Sequence, residues 1–413
     1  MQNTNVRLLF TTRIIRLFAY GFLSVALALY LAQIGLSEGR IGLLFTFTLA
    51  GDAVISLWLT TSADRLGRRR ILQVGAALMI LAGIVFVLTH NFIALAIAGI
   101  IGVISPSGGE IGPFLSIEQA ALSQLIPNER RTQLFAWYNL VGSFATALGA
   151  LAGGWLMQGF TTGGTTPLAA YRAVIIGYAI LGAALLIIFT RLSQAVEAPQ
   201  VQNTGKPIAR QPGTFLGLHK SRNVVLRLSA LFALDAFGGA FVLQSMLAYW
   251  FHLKFGVEPA VLGSIFFGAN ILAGISALSA ARIAARFGLI NTMVWTHIPS
   301  NVLLMLVPLM PNLWLASIVL LLRFSISQMD VPTRQSYTMA VVDPDERSAA
   351  SGVTAIARSI GAAAAPVLSG LLLGSATLIS LPFFIAGGLK IVYDLALYRS
   401  FRAIKPPEEQ AKQ

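Results

Sequence analysis

Twelve apolar runs, most of them near the ~20 residues a helix needs to cross a bilayer, leave this chain few folds to choose from. They cover roughly 12–34, 41–62, 71–89, 92–125, 133–158, 169–192, 224–251, 259–283, 289–308, 312–341, 349–374 and 378–398. Of the 413 residues, 56% are hydrophobic and only 11% charged, where a soluble domain carries about 25% charged residues. The fold class is therefore all-α integral membrane, and the short alternating segments of a transmembrane barrel are missing. The fourth and tenth runs are too long for one straight crossing and carry prolines among polar residues, which predicts bends or cytoplasmic extensions there.

Between the second and third runs, Asp64-Arg65-Leu66-Gly67-Arg68-Arg69-Arg70 packs five charges and a glycine into seven residues. Such a segment cannot lie in hydrocarbon and must turn at a membrane face. Gly67 permits the turn, and the four arginines assign it to the cytoplasm. That placement also puts Arg130, Arg131, Arg282, Arg286, Arg347, Arg399 and Arg402 inside, against Arg40, Lys254 and Arg172 on the opposite face. A multi-pass protein of an inner (plasma) membrane with both termini cytoplasmic follows. The net charge of +13 is then a matter of orientation and anionic headgroups, not of nucleic acid. Met1–Leu8 has no cleavage-site pattern, so the first run reads as a retained signal anchor. The chain has no cysteine, which excludes disulfides and thiolate metal sites.

The only long polar stretch, 193–222, cannot bury a core and reads as a cytoplasmic linker between an N-terminal six-helix bundle (1–192) and a C-terminal one (223–413). The halves repeat weakly. Pro127-Asn128-Glu129-Arg130 recurs as Pro344-Asp345-Glu346-Arg347, 217 residues later. Arg65-Leu66-Gly67 recurs as Arg286-Phe287-Gly288, and Gly149–Gly154 has a shadow in Ala365–Gly370. Parallel repeats of this kind mark transporters whose halves rock about a midplane site.

With these motifs in place, the chain resembles the major facilitator superfamily over essentially its whole length. Asp64–Arg70 is similar to that family's signature between its second and third helices, with Thr60 where the family has a leading glycine. Gly149, Gly153 and Gly154 resemble the glycine motif of the family's antiporter branch, with Ala150 in place of its proline. The resemblance implies two pseudo-symmetric six-helix bundles, a gate at Asp64, Arg65, Gly67, Arg68 and Arg69, and a tilt toward efflux. The glycines have a second reading, as small residues that let two helices pack closely.

Charges inside the runs are the functional candidates, because each is costly in lipid unless paired. Asp52 lies near the middle of the second run, facing the cavity or pairing with a basic neighbour. Glu110 sits in Ser105-Pro106-Ser107-Gly108-Gly109-Glu110-Ile111-Gly112-Pro113, whose prolines and glycines disfavour regular helix and expose carbonyls around a carboxylate. The other reading of Glu110 is a solvated turn. Glu118 follows two turns later. In the second half, Asp235 lies beside Gly238 and Gly239, and Arg323–Gln335 forms the counterpart of the Glu110 region, with Asp330 and Arg334 spaced to pair. Arg13, Arg16 and Arg358 read as snorkelling residues at cytoplasmic helix ends. Lys390 and Asp394 read as a structural pair, and His297 as an isolated, satisfied histidine.

No P-loop, nucleophile elbow or zinc-binding histidine pair is present, so the chain reads as a secondary transporter, not an enzyme, with no cofactor and no resident metal. The expectation is a monomer in membrane lipid that exports a small organic or amphipathic solute by alternating access, coupled to protons. Asp52, Glu110, Glu118, Asp235 and Asp330 are the candidates to exchange protons. Arg323 and Arg334 orient those acids or bind an anionic substrate, while Asp64, Arg65 and Arg68–Arg70 latch the gate. Three alternatives stand beside it. They are proton-driven uptake of an anionic nutrient, efflux of a cation or metal complex on carboxylates around Glu110 and Asp330, and a non-transporting membrane sensor.

Overall fold

The computed structural model describes residues 2–198, 218–343 and 346–404, and these are helical with short connections. The middle of the expected linker (199–217) and Pro344-Asp345 of the second repeat motif lie outside the described residues. Among the described residues, fifteen α-helices build the twelve crossings. In the first half they are α1 (Gln2–Gln33), α2 (Glu38–Leu66), α3 (Arg68–Leu88), α4 (Phe92–Ile101), α5 (Phe114–Leu125), α6 (Asn128–Thr162) and α7 (Pro167–Thr190). In the second they are α8 (Arg222–Ala240), α9 (Gln244–Phe255), α10 (Pro259–Phe287), α11 (Leu289–Leu306), α12 (Leu313–Ile326), α13 (Asp330–Ala340), α14 (Arg347–Leu373) and α15 (Leu381–Phe401). Among the described residues, eleven helical stretches are long and apolar enough to cross a membrane, and the fourth crossing is the broken pair α4–α5. Their outer faces are studded with exposed apolar side chains such as Trp58, Trp155, Leu88 and Trp314, as lipid contact demands.

The bend expected in the fourth run is a complete break, and the tenth run is interrupted for three residues between α12 and α13. Between α4 and α5, Gly108 (φ +69) and Gly112 (φ +77) adopt conformations that side chains resist. The backbone groups released there find partners from four other crossings. Asp52 accepts the Gly112 N–H at 2.8 Å, Tyr20 donates to the Ile111 carbonyl at 3.3 Å, and Tyr178 donates to the Val103 carbonyl. Ser245 donates its N–H to the Pro106 carbonyl at 3.0 Å. Irregular backbone at this depth persists because the protein supplies every one of these bonds in place of water. The seventh run, which reads as continuous, also breaks. The Phe241 and Val242 N–H groups turn back to the Gly238 and Gly239 carbonyls (3.3 and 3.2 Å), which tightens and ends α8.

Within the first half α1 packs against α6 and α7, and within the second α8 packs against α14 and α15. The halves meet through α6 with α10 and α2 with α14. Both contacts are made by glycines. A Cβ on Gly154 would stand 2.8 Å from Gly263 Cα, and one on Gly370 would stand 2.9 Å from Gly42 Cα. Nearby, Val367 N–H reaches Thr46 Oγ1 (3.1 Å), Trp155 Nε1 reaches Ser264 Oγ (3.3 Å) and the Tyr249 hydroxyl reaches Glu38 Oε1 (2.9 Å). Among the described residues, every hydrogen bond between the halves lies from mid-membrane to the end opposite Arg65–Arg70. The molecule is closed at that end.

Candidate functional site

Two buried clusters of charge occupy the two halves, each joining the first helix of its bundle to the broken fourth. In the first half, Arg13 and Arg16 lie one turn apart on α1. Arg16, fully buried, holds Glu118 with Nη1 and Nη2 at 2.9 and 2.7 Å and Glu110 with Nε at 2.8 Å. Thr12 Oγ1 (2.8 Å) and the Tyr138 hydroxyl complete the shell of donors around Glu118. Arg13 pairs with Glu110, donates to the Tyr138 carbonyl (3.2 Å) and lies 4.5 Å from the centre of the Tyr138 ring. The break before α5 places Glu110 opposite α1; one unbroken helix would point Glu110 and Glu118 differently. Arg13 and Arg16 are thus not snorkelling helix ends, since they have carboxylates to pair with well inside the protein.

Accessibility separates the two acids. The Glu118 side chain is 0% exposed and that of Glu110 is 15% exposed. Glu110 is therefore the acid of this cluster that solvent can reach. It is also the sole carboxylate partner of Arg13 among the described residues.

In the second half the hub is Asp235 on α8. Its carboxylate receives Lys390 Nζ at 2.6 Å, Arg334 Nη1 at 3.1 Å and Arg358 Nη1 at 3.5 Å, with His297 Nε2 at 3.9 Å. Asp330 and Arg334 make the contact their spacing suggests, at 3.1 Å. Lys390 does not pair with Asp394 as expected from their spacing. It turns to Asp235, and Asp394 is held by His297 Nδ1 (2.9 Å) and Asn301 (3.3 Å). Their shared helix left the choice to the neighbours: α8 and α11 both pack against α15, and each takes one of the two charges. His297, read as isolated, joins two carboxylates, and Arg358 reaches the hub from α14.

The remaining candidates fall outside these clusters. Asp52 accepts the Gly112 N–H and the Ser56 hydroxyl, both at 2.8 Å, and has no basic partner among the described residues. It holds the broken loop. Arg323 on α12 has no ion pair or hydrogen bond among the described residues and lies 4.8 Å from the centre of the Phe324 ring. Gly149 and Gly153 bring α6 against Phe18 and Phe22 of α1, while Gly154 meets the other half at Gly263.

At the gate motif, Gly67 turns the chain with φ +100. Arg65 is exposed, and the exposed Asp64 carboxylate bonds to Arg68 Nε at 2.8 Å. Arg68 continues to Gln124 Oε1 (3.0 Å) and the Val196 carbonyl (3.3 Å). Glu197, which the sequence reading passed over as linker, caps α3 by accepting the Arg68 and Arg69 N–H groups at 2.6 and 3.3 Å. The signal was legible: a helix that starts after glycine has no side chain of its own to cap it. Thr60 spends its position on a 3.1 Å hydrogen bond to Ser116 of α5.

Two six-helix bundles, an interrupted fourth crossing in each, and buried charge beside those interruptions define a membrane transporter that works by alternating access. Comparison with known proteins agrees. The model of the Major Facilitator Superfamily matches residues 9–366 and 236–413, and the chain belongs to that family. It is 31% identical to the uncharacterized membrane protein YJR124C of Saccharomyces cerevisiae, over 97% of this chain and 94% of that one. It is 21% identical to the quinolone resistance protein NorA of a Staphylococcus aureus strain, over 90% of each. Among solved structures it resembles the nucleoside transporter NupG (TM-score 0.71, 15% identity, 96% and 99% covered). It likewise resembles a D-xylose-proton symporter (TM-score 0.72, 15% identity, 95% and 97% covered).

Proposed function

We propose that this transporter couples the export of a small organic, amphipathic solute to protons, from an inner (plasma) membrane in which both termini are cytoplasmic. The observation that carries the reading is the position of Glu110. It is the accessible acid of the first-half cluster, and protonating it leaves Arg16 with Glu118 but leaves Arg13 with no carboxylate. A proton on Glu110 and a reorganised cavity are then one event, which is what coupling requires. Asp235, Asp330 and Arg334 form the second-half counterpart, with His297 beside them as a proton carrier. With Arg65–Arg70 inside, the closed end is the outer one, which fits an inward-facing state. The gate residues Asp64, Arg65, Gly67, Arg68 and Arg69 act as a latch, and Gly154 packs the outer closure. Likeness to a quinolone resistance protein supports the outward direction.

The test is proton movement in liposomes loaded with a pH-sensitive dye, under an imposed gradient and a panel of organic solutes. One solute should trigger proton flux in the wild type, and Glu110→Gln should reduce that flux at least ten-fold while solute exchange continues. Full coupling in Glu110→Gln would overturn the reading.

A further inference from the structure

Arg323 breaks the pattern of the rest of the protein. The buried charges of the two clusters all have partners of opposite sign, and Asp52 has two donors. Arg323 lies in the middle of the tenth crossing with its Nε buried and unbonded, and with no carboxylate in contact among the described residues. The acid it feels, Asp330, is already bonded to Arg334. The residue also sits on the protein side of its helix. On α12 the exposed positions are Trp314, Leu315, Ile318 and Leu322, whereas Arg323 falls near the buried Ala316 and Leu320 at helical spacing. One turn further on, at the same face and at the start of the break, Ser327 is 5% exposed and its hydroxyl is buried without a partner.

A guanidinium keeps its charge at any working pH and offers a planar fork of donors that matches carboxylate, sulfonate and phosphate oxygens. Arg323 is half-buried, and a guanidinium at this depth that no carboxylate neutralises is costly, so the partner is expected to come from outside the chain. We infer that Arg323 and Ser327 form a subsite for an anionic group, and that the cargo carries that group. This rests on the transporter reading above and names the class of its solute: an organic anion or zwitterion, held by its acid at the break in the tenth helix. Arg334, the other arginine expected to serve an anion, is committed to Asp235 and Asp330.

The experiment uses the full chain in phosphatidylcholine nanodiscs, with no gradient. Binding and thermal stability are measured with an aryl carboxylate, an aryl sulfonate, an aryl phosphate, the matching aryl ammonium and the neutral alcohol. The wild type should be stabilised by at least one anion and not by the ammonium or alcohol. Arg323→Gln should weaken that binding at least ten-fold, Arg323→Lys should retain part of it, and Ser327→Ala should weaken it a few-fold. Without ligand, Arg323→Gln should unfold at the same temperature as the wild type or higher, because it removes an unpaired charge. A lower unfolding temperature would reveal a structural partner and overturn the inference, as would anion binding that ignores Arg323. Stabilisation that appears only when phosphatidylglycerol is added, and depends on Arg323, would assign the anion to a lipid headgroup and overturn the cargo role. Proton flux is read separately: lost coupling in Glu110→Gln beside intact anion binding leaves this subsite standing. Intact coupling with no Arg323-dependent binding removes it alone.

Discussion

The two charge clusters stand at related places in related bundles, yet their polarity is reversed. In the first half the first helix brings the bases, Arg13 and Arg16, and the broken fourth helix brings the acids, Glu110 and Glu118. In the second half the corresponding first helix brings the acid, Asp235, and the broken helix brings the base, Arg334, together with an acid of its own, Asp330. The repeated scaffold therefore demands a charge pair across these two helices but is indifferent to its sign. The clusters also differ in layout. One is a pair of carboxylates shared by two arginines, with Glu110 at the solvent edge; the other draws three cations onto a single buried aspartate. A hub of that kind fails together, while a chain of pairs can give up one member.

That contrast can be broken by mutation, and the largest effect is expected at the hub. Asp235→Asn leaves Lys390, Arg334 and Arg358 facing one another and should cost about 3–5 kcal/mol, seen as a lowered unfolding temperature in detergent. Adding Lys390→Met should restore part of it. If Asp235→Asn is benign, the hub description is wrong. In the first half the cost should divide unequally. Glu118→Gln, fully buried under four donors, should lose about 2–3 kcal/mol, and Glu110→Gln at the edge about 1.5 kcal/mol. Equal losses would erase the distinction between the two acids.

The closed end offers a finer test of symmetry. Gly154 against Gly263 and Gly370 against Gly42 are equivalent contacts on opposite sides of the molecule. Gly154→Val and Gly370→Val should each open that end, with similar several-fold gains in labelling of a single introduced cysteine. The natural chain has no thiol to interfere. Very different gains would show that one side carries the closure.

The smallest effect concerns the loops, where each half fastens a chain segment with one glutamate. Glu197 does so at α3, and Glu346 does so where the chain enters α8. Burial alone would raise the Glu346 carboxyl, but the Ser221 hydroxyl, the His219 and Ser221 N–H groups and the His219 ring outweigh it and bring it from 4.5 down to about 2. A group lowered on folding stabilises fully above its unfolded value and loses that contribution as pH falls through its folded value. Stability owed to Glu346 should thus be complete above about pH 4.5 and fade toward about pH 2. Glu346→Gln should flatten the acid limb of the unfolding profile across that window. An unchanged profile would remove Glu346 from the comparison.

Much of the architecture was legible in advance, because crossing a bilayer imposes a length and an apolar composition that any reader of the chain can see. The breaks in the fourth and tenth crossings were announced by Pro106, Gly108, Gly112, Pro113 and Pro332. The break in the seventh was not, since Gly238 and Gly239 sit within helix and the bonds that Ser245 makes after the turn go to Ser24 and Pro106 of the opposite half. The candidate acids were visible as charges in apolar runs. Their partners were not: Arg13 and Arg16 look like helix-end arginines until the broken fourth crossing brings Glu110 and Glu118 to them.

By itself the sequence determined what must be in the membrane, where the chain must turn, and which charges would need company there. Those follow from transfer energies, which are properties of residues and their near neighbours. Only the tertiary structure decided who pairs with whom: Lys390 with Asp235, Asp394 with His297, and Arg323 with no one in the described chain. A helix rotated by tens of degrees presents a different residue to the same neighbour. That rotation is set by the packing of all twelve crossings together, and no stretch of the chain carries it alone.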